Sequence, residues 1–308
     1  MTITRHQRQI VDTAARIMAD RPGDDDRAYM ARQLVQATLP HKNPGDVPVW
    51  TRKNGRLTLV IQPGWNTKAG KSLGYPYGTV PRLLLFWITA EAVLKKSRRI
   101  ELGRNLTDFM IELGLNPNNG GAGAKRSDAR RLRDQAERLF RAKLSFDEEA
   151  DDREVEGQSW VDMAVAPKGQ MWWSSRDPDQ STLWGSWIEL GEEFFKAIVS
   201  APVPVDMRAL KALKKSPLAL DLYALVTYEA FRAHKNGKTR FATWAQLMTQ
   251  LGADYASDDD FRRKAKAALR KICVLYPGLK LGRRPGGLEI LPESLPAITP
   301  RPRLEASA

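Results

Sequence analysis

The same punctuation occurs twice along this 308-residue chain, and that repetition restricts the available folds more than any other feature. In the first half, LTDFMIELG closes on Leu113-Gly114, a loop NPNNGGAG follows, and Ser127 opens the basic run SDARRLR. In the second half, WAQLMTQLG closes on Leu251-Gly252, and Ser257 opens SDDDFRRK. Gly114, just past the last apolar turn, reads as the left-handed residue that stops a helix. A serine followed by acidic residues satisfies free N–H groups and complements the dipole of the helix it opens. Each pair follows a long apolar helix with proline in its first turn, PRLLLFWITAEAVLKKS from Pro81 and SPLALDLYALVTYEAFRAHK with Ser216 as cap. Strand-like segments come after each pair, at Trp160–Val165 and Met171–Ser174, then at Leu279–Leu281 and Leu288–Ile290 around GRRPGG.

Helix, helix, basic helix and hairpin is the order of a winged helix. The expected class is therefore α+β, mainly helical, with tandem winged-helix domains, each a helix-turn-helix plus a β-hairpin wing. Two unrelated α+β domains sharing common capping signals are the plainer alternative. The pattern divides the chain into four parts. Residues 1–56 read as an N-terminal helix, with Ile10, Ala14, Ile17 and Met18 on one face, followed by a flexible arm rich in Pro and Gly. Residues 57–202 form the first winged-helix domain and 203–291 the second. Residues 292–308 are a Pro-rich tail expected to be disordered.

Lys plus Arg number 49 against 36 Asp plus Glu, a net charge of +13 and a pI near 9.9. A polyanion is the partner that such a surface attracts. Cys273 is the single cysteine, so neither an internal disulfide nor a thiolate zinc site is available. His6, His41 and His234 lie far apart with no metal-ligand spacing, and no Ser/His/Asp or Cys/His arrangement is evident. No cofactor, no metal and no enzymatic activity are expected. The longest apolar run, Leu83–Ile88, is far below the ~18 residues needed to span a bilayer. The N-terminus has no apolar signal core, so a soluble, cytoplasmic protein is expected. Residues 64–72, GWNTKAGKS, imitate a phosphate-binding loop, but Gly64 stands one residue too far from Gly70, and Trp65 occupies the place of the first glycine. LGYPYGTVPR then breaks structure where that motif needs a helix N-terminus.

Charge concentrates in the second half. Residues 203–291 hold 17 basic and 8 acidic residues, and Arg262–Arg284 holds nine basic residues and no acidic one. On a helical projection of 257–276, Phe261, Ala265, Ala268, Leu269 and Ile272 form an apolar stripe. Arg263, Lys266 and Arg270 lie opposite, flanked by Arg262, Lys264 and Lys271. A cationic outer face on the third helix suits the DNA major groove. Arg262 and Arg263, near its N-terminal end, are candidates for guanine edges. Lys271, Lys280, Arg283 and Arg284 suit phosphates, the last two at the wing tip. The bland reading of any single one is a solvated helix face. In the first half Arg130, Arg133 and Arg141 are weaker DNA candidates, because pairing with the acidic stretch at 147–156 competes. Trp160, Trp172, Trp173, Trp184 and Trp187 cluster in the strand-rich region and read as core or interface.

Three segments resemble the plasmid-encoded RepA replication initiator family: GYPYGTVPRLLLFWITAEAV at 74–93, IELGRNLTDFMIELGL at 100–115 and RALKALKKSPLALDLYALVTYEAF at 208–231. The resemblance spans roughly 74–291. It implies binding of double-stranded DNA at origin repeats (iterons), help in opening the origin, and recruitment of host initiator and replicative helicase machinery. It also implies a homodimer in equilibrium with monomer, with the first domain carrying the dimer interface and backbone contacts and the second reading the major groove. The Trp-rich segment 160–187, Trp172 in particular, is the candidate dimer surface. The resemblance assigns no role to Tyr77-Gly78…Pro81-Arg82. Arg82 is expected either at a domain interface or on DNA. A winged-helix transcriptional repressor without an origin role is the competing function.

Overall fold

The computed structural model describes residues 4–103, 105–119, 127–149, 158–171, 185–252 and 255–298. Helix α1 (Arg5–Ala19) starts at a Thr4–Gln7 capping box. Strand β1 (Arg27–Ala31) runs into the short α2 (Arg32–Gln36). Strands β2 (Trp50–Asn54) and β3 (Leu57–Gln62) turn at Gly55, which takes a left-handed φ of 59°. A small hairpin of β4 (Trp65–Asn66) and β5 (Lys71–Ser72) precedes α3 (Thr79–Lys95). Then come β6 (Arg99–Glu101), α4 (Leu106–Glu112), α5 (Asp128–Phe140), β7 (Lys143–Glu149) and β8 (Gln158–Ala164). Strands β9 (Lys168–Gln170) and β10 (Trp187–Glu189), helix α6 (Glu192–Ser200) and strand β11 (Pro202–Asp206) complete the first half. The second half is α7 (Met207–Leu213), α8 (Pro217–Asn236), β12 (Arg240–Thr243), α9 (Trp244–Leu251), α10 (Asp258–Leu275) and β13 (Gly287–Ile290).

The expected caps are in place. Asn105, Ser127, Ser216, Thr243 and Ser257 each accept a backbone N–H from the first turn of the helix they open. Helix α3 is buried almost all round, from Val80 to Ala90, because β1, α5, α6 and α8 pack on different sides of it. Its lack of an amphipathic stripe is thus a consequence of its central position. Helix α10 buries Phe261, Ala265, Ala268, Leu269 and Ile272, the stripe read from the sequence, together with Leu275.

Among the described residues all strand pairs are antiparallel. Hairpin β7–β8 follows α5 and is extended by β3 and β2 into a four-stranded sheet ordered β2-β3-β7-β8. Strands β6, β10 and β9 form a second sheet. After α10 the chain returns so that Leu281 bridges Ile290, while β13 pairs along β12, Arg240 opposite Ile290 and Thr243 opposite Gly287. The order α8, β12, α9, α10, bridge, β13 therefore closes a compact unit in which a strand from between the helices pairs with the last strand.

The N-terminal segment differs from the flexible arm expected. Strand β1 pairs with β11, Arg27 opposite Asp206 and Ala31 opposite Pro202, across the place where the domain boundary had been drawn. Leu34, Val35, Ala37 and Leu39 are buried, and α1 packs against α7 and α10. The physical reason is that β1 and α2 are too short to show a period, and their partners lie ~170 residues along the chain. The tail also begins packed. Tyr276 Oη donates to Leu295 O at 2.5 Å, Lys280 N donates to Ser294 Oγ at 3.0 Å, and Ile298 is buried. Residues 299–308 lie outside the described residues. The two halves share one continuous cluster of buried side chains, running from Ile10 to Ile290.

Candidate nucleic-acid interface

Helix α10 turns Arg262, Arg263, Lys266 and Arg270 to solvent, since the apolar stripe on its other side is buried against α8 and α9. Its first turn is acidic, and these acids grip the first basic residues. Arg262 Nη2 lies 2.7 Å from Asp259 Oδ1, and Arg263 Nη2 donates to Asp260 Oδ1 at 2.6 Å. Lys264 Nζ donates to Asp260 Oδ2 at 2.8 Å. Hydrogen bonds from Lys264 and Arg263 hold the Asp260 carboxyl below its ordinary range, so it stays ionised. The pairs do not exhaust the guanidiniums. Each arginine engages one Nη in the pair and has further N–H groups, enough for a bidentate contact to a guanine edge.

The hairpin after α10 is shaped by glycine. A Cβ on Gly287 would stand 2.2 Å from Ala242 O, and one on Gly282 would stand 1.9 Å from Glu289 Oε2. The Gly287 contact is with backbone, so only hydrogen there lets β13 close on β12, whereas at Gly282 the Glu289 side chain would have to move aside. Trp244 ties the two cationic elements together. Its backbone N–H donates to Gly286 O at 3.1 Å, and Lys266 Nζ lies 5.8 Å from its ring centroid. The two arginines of this turn then divide. Arg284 lies over Phe241 at 4.0 Å, whereas Arg283 projects from the exposed tip. Lys280 is exposed. Lys271 is half-buried and faces α1: its charge and that of Lys215, after the effect of burial, lower the His6 pKa. Arg262, Arg263, Lys266, Arg270 and Arg283 are thus exposed, with Arg262, Arg263 and Lys266 lining one hollow, and half-buried Lys271 is set apart from them.

On α5, Arg130, Arg133 and Arg141 are all exposed, and among the described residues none is in an ion pair. Arg131 instead pairs with Asp128 at 3.2 Å. In the acidic stretch Glu149 is taken by Lys53 at 2.9 Å; residues 150–157 lie outside the described residues. Trp160 is exposed, Trp187 is covered by Arg99 at 4.1 Å, and Trp172, Trp173 and Trp184 lie outside the described residues.

Between the halves lies a buried polar cluster. Arg82, in the first turn of α3, is 2% exposed and uses all five N–H groups of its guanidinium. Nε donates to Asp221 Oδ1 at 2.7 Å and Nη2 to Asp221 Oδ2 at 2.8 Å. Nη2 also donates to Leu39 O at 2.6 Å, and Nη1 donates to Gly78 O at 2.7 Å and Pro40 O at 3.1 Å. His41 Nε2 donates to Asp221 Oδ2 at 2.8 Å. Burial works against the Asp221 charge, but Arg82 and the His41 hydrogen bond outweigh it and hold the pKa at about 2. Burial lowers the His41 pKa, and Nδ1 has no acceptor for a second proton, so the ring is neutral. Of the two places open to Arg82, the interface between α3 and α8 is the one it occupies. Neither Asp221 nor His41 stands in a motif of the sequence. The available signal was a lone carboxylate inside the apolar run LALDLYALV.

The segment GWNTKAGKS folds as the β4–β5 hairpin, and α3 begins only at Thr79, so no helix N-terminus follows it. Among the described residues no three His, Cys, Asp or Glu side chains gather as a metal site. No helix among them is long and apolar enough to cross a membrane.

The family model described as plasmid encoded RepA protein matches residues 75–246. No curated protein matches the chain. Two solved structures resemble it: a crystal structure of RctB domains 2–3, 12% identical with a TM-score of 0.43, and a selenomethionine derivative of RctB domains 2 and 3, 13% identical with a TM-score of 0.46. Each likeness covers 83% of this chain and 94% of the other.

Proposed function

Since the chain belongs to the plasmid-encoded RepA replication initiator family, we propose that it binds repeated sequences at a plasmid origin as double-stranded DNA. On this reading the unit of α8, β12, α9, α10 and β13 is a winged helix whose third helix enters the major groove. The unit of α3, α4, α5 and hairpin β7–β8 is a second one, contacting mainly backbone. The single observation that carries the proposal is the joined cationic surface of α10 and its wing, with Arg263 and Lys266 outward and Trp244 bonded to the wing tip.

Asp260 pairs with Arg263 at 2.6 Å and biases its orientation before DNA arrives, which lowers the ordering cost of a base contact. Asp259 and Asp260 repel phosphates, so this end of α10 favours base edges over backbone. Arg270, Lys280 and Arg283 neutralise phosphates and fix register. Binding by about 6–8 phosphates gives a log K against log salt slope of roughly −5 to −7. Origin opening, recruitment of host initiator and helicase machinery, and autorepression by a homodimer complete the proposed role. The proposed activity is binding without catalysis, and a metal-dependent nicking assay on origin DNA is expected to show no cleavage.

The test is footprinting on DNA flanking the gene at near-physiological salt. Protection of direct repeats about two helical turns apart is the expected result. Protection of a single inverted repeat at the promoter would make the protein a dedicated repressor. The absence of any discrete footprint would overturn sequence-specific binding.

A further inference from the structure

We propose that the β4–β5 hairpin is a separate DNA-backbone contact, a rigid two-lysine finger set beside α5 whose ligand is the phosphodiester chain of duplex DNA. The inference rests on the DNA-binding reading above but concerns a segment outside every element invoked there.

The hairpin is held against the last turns of α5 at both feet. Gly64 approaches so closely that a Cβ would lie 2.6 Å from Arg141 Cβ and 2.7 Å from Arg141 O. Gly74 has a φ of 76°, and a Cβ there would meet Arg138 Nη1 at 3.1 Å. Arg138 Nη1 also donates to Tyr75 O at 3.3 Å. The feet are closed on each other by Leu73 N donating to Gly64 O at 2.9 Å. The tip is shaped locally, with Asn66 Oδ1 accepting from Ala69 N at 3.0 Å and Gly70 at a φ of 60°. Strands of two residues bury too little to be stable alone, so this finger keeps its place through α5.

Its charges are uncompensated. Lys68 and Lys71 are exposed, and among the described residues neither is in an ion pair. Lys53 is paired with Glu149, Lys143 with Asp162 and Lys196 with Glu192. The feature does not serve core packing either, since Trp65 at its base is 55% exposed. Arg141, exposed beside Gly64, adds a third cation at the same end of α5. Lysine ammoniums are compact, rotatable point charges, suited to phosphate oxygens and poorly suited to bidentate base reading. The resemblance of this stretch to a nucleotide-binding loop thus has a physical root. The glycines and lysines that imitate a phosphate cradle serve a turn that presents charge to phosphates from outside.

The test compares the full-length protein with K68A/K71A and K68E/K71E on an origin duplex and a scrambled duplex, by fluorescence anisotropy over a salt series. Two lost phosphate contacts make the slope shallower by about 1.8, or up to ~60-fold weaker binding near 0.1 M salt, equally on both duplexes. Charge reversal is expected to weaken binding further. Far-UV circular dichroism should be unchanged, because both side chains are exposed. Wild-type slope and affinity in both variants, with R263A weakened in parallel, would overturn the finger alone. Loss confined to the origin duplex would overturn the phosphate assignment. Failure of the wild-type protein to bind either duplex would overturn the DNA-binding reading itself.

Discussion

Replacing Asp221 by Asn removes one charge from the centre of the molecule and changes almost no volume. Arg82 then keeps its three bonds to Leu39, Pro40 and Gly78 carbonyls but loses the carboxylate against which its charge is buried. Breaking a buried pair by removing one partner costs about 3–5 kcal/mol, because the surviving charge is uncompensated. His41 loses its ionised acceptor in the same step. Substituting Arg82 by Lys attacks the site from the other side. An ammonium offers three N–H groups where the guanidinium fills five acceptor positions. At ~1–3 kcal/mol for each buried group left unpaired, and two so left, R82K is expected to cost about 2–6 kcal/mol. The double variant R82M/D221L removes both charges, so its cost is expected to fall well below the sum of R82M and D221L, with a coupling of at least about 2 kcal/mol. Urea unfolding followed by tryptophan fluorescence reads these values as shifts in midpoint at constant slope. Additive single costs, or a D221N loss under about 1 kcal/mol, would refute the claim that this pair fastens α3 to α8.

Further expectations concern pH, DNA and packing. Asp221 titrates near 2 in the fold against an ordinary 3.8, so it contributes about 2 kcal/mol above pH 3.8 that is lost as pH falls toward 2. D221N should lack that acid limb in a pH series of unfolding midpoints. His41 is also depressed, so its contribution is complete above its ordinary 6.5 and declines as pH drops below that value. R263A is expected to cost ~1–3 kcal/mol on origin DNA and relax base preference, whereas K280A should weaken all sequences alike. Equal losses on origin and scrambled DNA for R263A would remove its base-reading role. D260A frees Arg263 and removes a charge that repels phosphate, so competition assays should show tighter non-specific binding and a lower specificity ratio. G64A forces a methyl against Arg141 and should lower stability by about 1–3 kcal/mol in the same urea assay.

Local chemistry decided much of this molecule before any tertiary contact. The caps at Asn105, Ser127, Ser216, Thr243 and Ser257 each need only a side-chain oxygen and the next turn of backbone, so they are legible in sequence. The buried stripe of α10 follows from a period of 3.6, and its cationic face follows with it. The approximate order of elements, the charge bias and the family resemblance were likewise present in the chain. Long-range pairing decided the rest. Strand β1 has no signature of its own, and its register exists only against β11. Lys271 and Lys280 look alike in a list of charges, yet α1 packs beside one and leaves the other exposed. Arg82, Asp221 and His41 are isolated polar residues in sequence. Only the fold brings a carboxylate from α8 within 2.7 Å of a guanidinium on α3 and closes apolar side chains around both. Burial turns an ordinary charge into a strong constraint, and burial is a property of the packed chain rather than of any segment in it.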